Sequence, residues 1–247
     1  MRIDGFDGEG IAAITGSPTV RLFDEVESTM DEAHRLAADL APSGTVVIAD
    51  SQRRGRGRMG REWASRAGAG LWMTMLGRPQ SADVLDVLSL RVGIAIAAPL
   101  DQFAGSLVAI KWPNDLLVNG SKLAGILVEA RWHGASPDWV AVGVGINMAV
   151  PVGHAAFGLG AATSRSEVLR AVVPSLRAAI ERTGPLTAEE LDRFAERDAL
   201  HDAILEAPAR GRANGISATG ALRIVTEHGE EFFRRGSPIV AESTGTD

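Results

Sequence analysis

The 247-residue sequence contains no cysteine and no tyrosine, and aromatic residues make up only 5% of it. The lack of cysteine excludes disulfides, thiolate zinc sites and a cysteine nucleophile. No stretch approaches the roughly 18 uninterrupted apolar residues of a membrane-spanning helix, so no membrane partner is expected. The N-terminus, Met1 to Gly5, has no basic start followed by an apolar run, which argues against a secretory signal. These absences predict a cytoplasmic protein.

The charge of the chain is modest and unevenly distributed. Lysine and arginine number 25 against 31 aspartate and glutamate, which gives a net charge of −6. This balance argues against nucleic-acid binding across the whole surface. The arginines nevertheless cluster in one short segment, at Arg53, Arg54, Arg56, Arg58 and Arg61. A local positive site on an acidic body suits a small anionic ligand better than an extended polyanion.

Apolar spacing and turn residues predict a mixture of helices and strands. A capping box with Thr29 as N-cap and Glu32 at the third helical position predicts a helix to about Leu40. Asn119-Gly120 between two apolar runs predicts a β-hairpin, because both residues tolerate positive φ. The other predicted elements are strands at 20–26, 45–49, 70–77 and 139–148, and helices at 84–103, 164–182 (interrupted by Pro174) and 186–200.

The pattern of the sequence changes near residue 200, from helical spacing to short β-like runs. Beyond it, short β-like runs such as 221–226 and 231–233 are separated by glycine. We therefore predict an α+β main domain at 1–199, with a mixed, largely antiparallel sheet, and a small barrel-like β domain at 200–247. The hydrophobic content of 45% is sufficient to form a core.

The segment from Gln52 to Trp63 combines the clustered arginines with Gly55, Gly57 and Gly60. Glycine lets the backbone approach a ligand closely, and guanidinium groups donate paired hydrogen bonds to phosphate or carboxylate. Taken alone, such a loop is equally compatible with RNA binding or with a solvated surface loop. It lacks the Walker sequence, and its arginines are unsuited to the helix-opening turn of a dinucleotide-binding site.

Polar groups also lie on or beside three predicted strands. The segments are Lys111-Trp112-Pro113-Asn114-Asp115, the run from Lys122 to Glu129, and the run from Gly143 to Met148. Pro113 removes a ladder donor and predicts a bulge or break in its strand. Lys122, at the start of a buried strand, either reaches solvent or faces a pocket beside Gly125. Two glycines before Asn147 indicate close approach of a ligand or another backbone.

In this order, the four segments resemble the catalytic domain of the biotin–protein ligase family. The shared patterns are Gly-Arg-Gly-Arg-x-Gly-Arg-x-Trp, Lys-Trp-Pro-Asn-Asp, Lys-x-x-Gly-Ile-Leu-x-Glu and Gly-x-Gly-Ile-Asn, and they lie within residues 20–148. The resemblance implies a class II synthetase-like fold with an SH3-like C-terminal barrel. It also implies that biotin and ATP, with Mg²⁺, form biotinyl-5′-adenylate. The adenylate would then biotinylate a lysine of the biotin carboxyl carrier domain of a carboxylase.

The resemblance implies roles for individual residues, position by position. The implied biotin-binding residues are Ser28, Thr29, Met30, Gln52, Arg56, Gly57, Arg58, Lys122 and Gly125. The implied nucleotide-binding residues are Arg61, Trp63, Lys111, Asn114 and Asn147. The implied catalytic residues are Arg58, Lys122, Lys111 and Asp115, with Asp115 also the candidate metal ligand. Two departures are Met30, where some relatives have asparagine, and Met59, where arginine is frequent.

Several alternatives stay open beside this interpretation. They are a lipoate–protein ligase, a non-catalytic biotin or nucleotide sensor, and an RNA-binding module, the last disfavoured by the acidic charge and scarce aromatics. About twenty residues precede the first predicted strand, too few for the DNA-binding winged helix of some family members. Specific DNA binding is therefore not expected. A homodimer through the main sheet is compatible with the resemblance.

Overall fold

The computed structural model describes residues 1–79, 81–151 and 155–241, and a mixed sheet lies at its centre. Its strands are β1 (Val20–Val26), β2 (Val46–Gln52), β3 (Gly70–Gly77), β4 (Ala109–Lys111), β5 (Asp115–Val118), β6 (Ser121–His133) and β7 (Ser136–Asn147). Within the described residues they form a seven-stranded sheet in the order β1-β2-β3-β7-β6-β5-β4. β1 and β2 pair in parallel, and the remaining neighbours are antiparallel. The predicted α+β class with a largely antiparallel sheet is confirmed.

Helices cover both faces of this sheet. They are α1 (Gly8–Thr15), α2 (Thr29–Ala38), α3 (Leu88–Ala104), α4 (Arg165–Glu181) and α5 (Ala188–Ala195). Side chains of β2 alternate between the faces, as strand geometry requires. Val46 and Ile48 join the main core with α3 and α4, whereas Val47 packs in a smaller cluster with Met30 and Ala33 of α2. No helix within the described ranges is long and apolar enough to cross a membrane.

The hairpin predicted at Asn119-Gly120 is confirmed. Both residues have positive φ, 49° and 77°, and they connect β5 to β6. The strand break predicted at Pro113 is also present. It is a tight reversal between β4 and β5, closed by the pairing of Lys111 with Asp115. The chain therefore turns back at Pro113 and places both of these side chains at the same end of the sheet.

The predicted N-cap of α2 is wrong. Ser28, not Thr29, has the extended backbone of a cap, and its hydroxyl accepts a hydrogen bond from the Met30 amide at 3.3 Å. Thr29 is the first helical residue, and its hydroxyl bonds to Gln52 instead. Serine is the better cap by type, and the bond from the Thr29 hydroxyl to the distant Gln52 favours the same choice. The helix ends at Ala38 rather than Leu40.

The predicted interruption of α4 at Pro174 is also wrong. The helix continues through the proline, because Val173 and Leu176 around it are buried in the main core and this packing outweighs one missing backbone hydrogen bond. The short helix α1, capped by Asp7, was not predicted. The predicted helix at 84–103 begins only at Leu88, after a 3₁₀ turn. The predicted helix at 186–200 is shorter than expected and corresponds to α5 (Ala188–Ala195).

A second antiparallel sheet follows the helices. Its strands are β8 (Ile204–Ala207), β9 (Gly211–Ile216), β10 (Leu222–Thr226), β11 (Gly229–Phe233) and β12 (Ile239–Val240). Leu205 and Ile224 of this sheet belong to the main core. The buried Trp112 indole donates to the Gly220 carbonyl at 2.9 Å. The two sheets therefore share a packed boundary. The domain division at residue 200 stays a prediction, and 242–247 lie outside the described residues.

Candidate functional site

A cavity of about 430 Å³ lies where β6 and β7 meet the loop between β2 and β3. The segment 237–239 of the C-terminal region closes one side of it. Of the residues predicted from sequence, those lining the cavity are Ser28, Thr29, Met30, Gln52, Arg56, Gly57, Arg58, Arg61, Trp63, Lys111, Asn114, Asp115, Lys122 and Gly125. Segments far apart in the chain therefore contribute to a single site.

A hydrogen-bonded polar group forms one end of the cavity, at the start of α2. The backbone N–H and the hydroxyl of Thr29 donate to Gln52 Oε1 at 2.8 and 3.1 Å. Gln52 Nε2 in turn donates to the Ser65 hydroxyl at 2.7 Å. Thr74, on β3, donates to the Thr29 hydroxyl at 2.8 Å. These bonds fix the orientation of the glutamine amide and leave Ser28 beside it at the helix N-terminus.

The segment 53–64, which we call the arginine loop, folds back on itself as a short hairpin. The Trp63 amide donates to the Gly55 carbonyl, and the Gly57 amide donates to the Arg61 carbonyl, each at 2.8 Å. A side chain at Gly55 would collide with the Trp63 carbonyl and the Ser65 hydroxyl. Glycine at this position therefore allows the two arms of the loop to meet.

The Trp63 ring packs against β6 and β7, in the space left by two glycines. A Cβ atom added at Gly125 or Gly145 would come within 2.7 Å of the ring. Trp72 contacts the same ring edge-on, with 6.4 Å between ring centroids. The indole N–H of Trp63 is buried and has no hydrogen-bond partner among the described residues. The close approach predicted from the strand glycines is thus made by a tryptophan of the arginine loop.

Lys122 and Asp115 form an ion pair at the edge of the cavity. Lys122 Nζ lies 2.7 Å from Asp115 Oδ1, in a contact without the alignment of a hydrogen bond. The same ammonium lies 4.9 Å from the centre of the Trp63 ring, within the range of a cation–π interaction. Lys122 therefore faces the cavity, although about one third of its side chain remains exposed.

Arg58 is the half-buried cation of the arginine loop. Its Nη1 donates to Asn114 Oδ1 at 3.0 Å, and Asn114 Nδ2 donates to the Ile126 carbonyl at 3.0 Å. Burial lowers the pKa of Arg58, Asp115 partly offsets this, and nearby Arg61 lowers it further. A guanidinium remains protonated despite such a shift. Asn114 therefore holds a charged group inside the cavity with a neutral partner, which leaves the positive charge available to a ligand.

Two predicted residues have contacts that the sequence did not indicate. Asn147 is buried at the end of β7 and donates to the Lys122 carbonyl at 3.1 Å. It is absent from the cavity lining in the described part of the chain, so its contact supports the backbone of Lys122. Arg61 donates to the Ser237 hydroxyl at 3.3 Å, which links the arginine loop to the C-terminal region.

Sequence reasoning missed part of the lining. The additional residues are Met59, Glu62, Trp72, Met73, Trp112, Pro113, Ile126, Leu127, Gly143, Val144, Gly145, Ser237, Pro238 and Ile239. Most of them neighbour a predicted site residue in the chain and could have been inferred by adjacency. The segment 237–239 has no chemical pattern that connects it to the cavity, because the contact arises from packing between the two sheets.

The described part of the chain gives the cavity no cage of several acidic side chains for a metal ion. No group of three or more His, Asp or Glu side chains with metal-binding geometry occurs among the described residues. Asp115 offers one carboxylate that faces the cavity, paired with Lys122. Magnesium is commonly held by one or two carboxylates together with substrate phosphates. The residues present therefore fit a magnesium ion that arrives with a nucleotide.

Fold and site together define an α+β domain in which an arginine- and glycine-rich loop covers a cationic cavity on a mixed sheet. The model of the biotin/lipoate A/B protein ligase family matches residues 22–147. This match covers more than half of the chain and runs from within β1 to the end of β7. The chain belongs to the biotin/lipoate A/B protein ligase family.

Curated relatives share this region. Bifunctional ligase/repressor BirA of Bacillus subtilis is 42% identical over 126 residues, which are 51% of this chain and 39% of that protein. Biotin--[acetyl-CoA-carboxylase] ligase of Paracoccus denitrificans is 44% identical over 128 residues, 50% of this chain and 52% of that protein. The chain thus spans about half or less of the length of these relatives.

Solved structures extend the similarity over most of the fold. Biotin protein ligase from Aquifex aeolicus, in complex with biotin and ATP, aligns with a TM-score of 0.72 at 26% identity. The alignment covers 91% of this chain and 99% of that one. Biotin protein ligase from Leishmania major, in complex with biotinyl-5-AMP, aligns with a TM-score of 0.62 at 25% identity, covering 87% and 98% of the two chains.

Proposed function

We propose that this chain is an ATP-dependent biotin–protein ligase, which forms a carbon–nitrogen bond in two steps. Biotin and ATP would give biotinyl-5′-adenylate and pyrophosphate. The biotinyl group would then pass to a lysine of the biotin carboxyl carrier domain of acetyl-CoA carboxylase or a related carboxylase. The observation that carries the proposal is the convergence of Arg58 and Lys122 on a cavity whose other end is the Thr29–Gln52 polar group. The relatives and solved structures named as biotin ligases support it.

The polar end of the cavity suits the ureido ring of biotin. That ring presents both N–H donors and a carbonyl acceptor. The Ser28 hydroxyl and the Thr29–Gln52 group offer both kinds of partner in a fixed arrangement. Met30 supplies an apolar wall instead of an amide, with its sulfur against Gly143. We assign the ureido ring to this end, with the biotin carboxylate directed toward Lys122.

The first step brings two anions together. A biotin carboxylate oxygen attacks the α-phosphorus of ATP, the bond to the β-phosphate oxygen breaks, and pyrophosphate leaves. Repulsion between carboxylate and triphosphate grows as the dielectric constant falls. Arg58 and Lys122 offset it with fixed positive charge, which stabilises the transition state without proton transfer. Magnesium supplies further charge neutralisation when bound with ATP, and Asp115 is the residue we assign to hold it.

The nucleotide would lie on the side of the cavity opposite the ureido ring. Lys111 and Asn114 flank the reversal at Pro113 and line this side, together with Arg61 and Trp63 of the arginine loop. We assign Lys111 and Arg61 to phosphate contacts and Trp63 to the cover of the adenine region. Asn147 would act through the backbone of Lys122, to which it donates a hydrogen bond.

The second step requires a protected intermediate. The acceptor lysine amine attacks the acyl carbon, and the bond between that carbon and the bridging phosphate oxygen breaks. AMP leaves with this oxygen, and the new amide nitrogen loses a proton. A mixed anhydride hydrolyses readily, so water has to be kept away until the carrier arrives. Closure of the arginine loop would provide that protection. We therefore assign retention of the adenylate to Gly57 and Arg58, with Arg56 in the same loop.

A lipoate–protein ligase is the nearest competing function, because the family model covers both activities. A non-catalytic sensor with this fold is disfavoured by the intact Arg58, Lys111, Asp115 and Lys122 in one cavity. Pyrophosphate release should be measured with ATP and magnesium in the presence of biotin or lipoate. We expect release with biotin only. Turnover with lipoate alone would replace the assignment, and no turnover by folded protein with either acid would support a sensor.

A further inference from the structure

Arg56, in the middle of the arginine loop, is tied to the main domain by a group of side chains. It bonds directly to Asp31 of α2 and Glu129 of β6. His34 of α2 bonds to Glu129, and Trp139 of β7 bonds to His34. We call these five residues, Arg56 included, the Arg56 clamp. The clamp therefore connects the loop to α2, β6 and β7. It lies beside the cavity, at the opposite end of β6 from Lys122.

The guanidinium of Arg56 has two carboxylate partners. Its Nε and Nη2 donate to the two oxygens of Glu129 at 3.1 and 3.3 Å, a bidentate pair. Its Nη1 donates to Asp31 at 2.8 Å. About one third of the Arg56 and Glu129 side chains is exposed. Bidentate pairing adds directional restraint to charge attraction, so these contacts fix the side chain and the backbone that carries it.

His34 fixes the orientation of Glu129, and Trp139 in turn fixes the orientation of His34. The Trp139 indole donates to His34 Nδ1 at 2.9 Å, so this nitrogen acts as an acceptor. The ring proton is consequently on Nε2, which donates to Glu129 Oε2 at 3.0 Å. The hydrogen bond from His34 and the pairing with Arg56 hold the pKa of Glu129 below its usual value despite partial burial. Glu129 is therefore ionised and held in place at neutral pH.

Arg56 and Arg58 differ in their partners although one glycine separates them. Arg56 directs three donors to carboxylates, whereas Arg58 contacts the neutral Asn114 side chain and forms no salt bridge within the described residues. A guanidinium that is already neutralised by two carboxylates is a poor ligand for an anion. A guanidinium held by an amide keeps its charge for the ligand. The resemblance to known ligases assigned both arginines to biotin, so the structure separates their roles.

We propose that Glu129 is a positioning residue for the ligase reaction, which anchors the arginine loop through Arg56 and thereby holds Gly57 and Arg58 over the cavity. Asp31 and the His34–Trp139 pair support the same anchor. This inference rests on the proposed function, because the adenylate is the ligand that the anchored loop would retain. The anchor itself consists of contacts within the chain.

The anchor can be tested without any ligand. Trypsin cleaves after the arginines of the loop, and cleavage requires a loop that opens. Glu129→Gln keeps the shape of the side chain and leaves every arginine in place. Arg56→Lys keeps the charge and loses the bidentate geometry. We expect both variants to be cleaved between residues 53 and 61 about tenfold faster than the parent protein, since a hydrogen bond to a charged group contributes about 1.5 kcal/mol or more.

Glu27→Gln is the matched control. Glu27 pairs with Arg53 and Arg54 at the exposed start of the same loop, and it lies outside the cavity lining described here. Its removal takes one carboxylate from the loop without touching the clamp, so cleavage should stay at the parental rate. Far-UV circular dichroism and the urea midpoint of each variant would show that the fold is retained. An unchanged cleavage rate in both Glu129→Gln and Arg56→Lys would overturn the anchor.

The positioning role has its own measurement. Protein loaded with biotin, ATP and magnesium, without an acceptor, would be followed for loss of biotinyl-5′-adenylate. We expect about tenfold faster loss in Glu129→Gln and Arg56→Lys, in parallel with the cleavage, and no change in Glu27→Gln. Faster cleavage with unchanged adenylate loss would overturn the positioning role. If the parent protein forms no adenylate, the proposed function fails, and the positioning role fails with it, while the cleavage result still decides whether the clamp holds the loop.

Discussion

The position of Lys122 is set by β6, of which it is the second residue. The residues after it, Leu123 to Ile126, are buried, so the backbone of β6 is fixed and the lysine side chain emerges at a defined point. Asp115 and the Trp63 ring then hold the ammonium beside the cavity.

Replacing Lys122 by alanine should therefore remove catalysis and leave the fold. We expect adenylate formation to fall by about 100-fold or more, the cost of losing one preorganised charge at a developing anion. Pyrophosphate release with biotin and ATP measures this change. Arg54→Ala, at a side chain 85% exposed and paired with Glu27, is the matched loss of one cation and should keep parental activity. Near-normal adenylation by a folded Lys122→Ala protein would remove Lys122 from the catalytic residues.

Residue types and spacing predicted residues that the fold brings to one cavity, while their roles stay predictions. Arg58, Asn114, Lys122 and Gly125 lie in short, unusual segments, so each could be assigned before the fold was known. Their contacts could not be predicted, because they depend on distances between segments. Ser28 rather than Thr29 caps α2 for this reason, since Gln52 and Thr74 engage the Thr29 hydroxyl.

At the scale of elements, α3 and α5 are joined by a buried ion pair outside the site. Arg91 and Glu190 are 1% and 4% exposed, and Arg91 Nε donates to Glu190 Oε1 at 2.8 Å. Arg91 also donates to the carbonyls of Gly184 and Pro185, which fixes the turn before α5. Removing one partner leaves a buried charge without compensation.

We expect Glu190→Gln to lower the free energy of unfolding at pH 7 by about 3 kcal/mol. Burial raises the pKa of Glu190, but the hydrogen bond from Arg91, that from the Thr187 backbone and the charge of Arg91 outweigh it, so the pKa is lowered from its ordinary 4.5. A lowered pKa means that the carboxylate stabilises the fold fully above the unfolded-state pKa and loses this effect as pH falls through the folded-state pKa.

Urea denaturation from neutral to acid pH measures this dependence. The difference between the parent protein and Glu190→Gln should stay constant down to about pH 5 and shrink below it. Glu189→Gln, at the neighbouring carboxylate that is 64% exposed, should have little effect at any pH. A pH-independent difference, or equal losses in the two variants, would contradict the account of this ion pair.

Local signals predicted the elements, and long-range packing set their limits. The hairpin at Asn119-Gly120 was predictable because its turn and its two strands are adjacent in sequence. The continuity of α4 through Pro174 was not, because it depends on a core formed with α3. The contribution of 237–239 to the cavity was also hidden. Arg61 and Ser237 meet across 176 positions of sequence.

The whole molecule combines a net charge of −6 with a cationic cavity. Carboxylates around the arginine loop neutralise Arg53, Arg54 and Arg56. Arg58, which bonds to the neutral Asn114, brings positive charge into the cavity without a salt bridge among the described residues. This distribution favours a small anion in the cavity over a polyanion along the surface. The C-terminal region completes the enclosure through 237–239 and through the Trp112 hydrogen bond to Gly220.

The most direct test of the central proposal is mass spectrometry of a purified biotin carboxyl carrier domain, incubated with this protein, biotin, ATP and magnesium. The account predicts one added biotinyl group on one carrier lysine. It predicts no such product when ATP is omitted or when Lys122→Ala replaces the parent protein. An unmodified carrier in the presence of folded protein and all substrates, or a lipoyl group gained where lipoate is supplied instead, would contradict it.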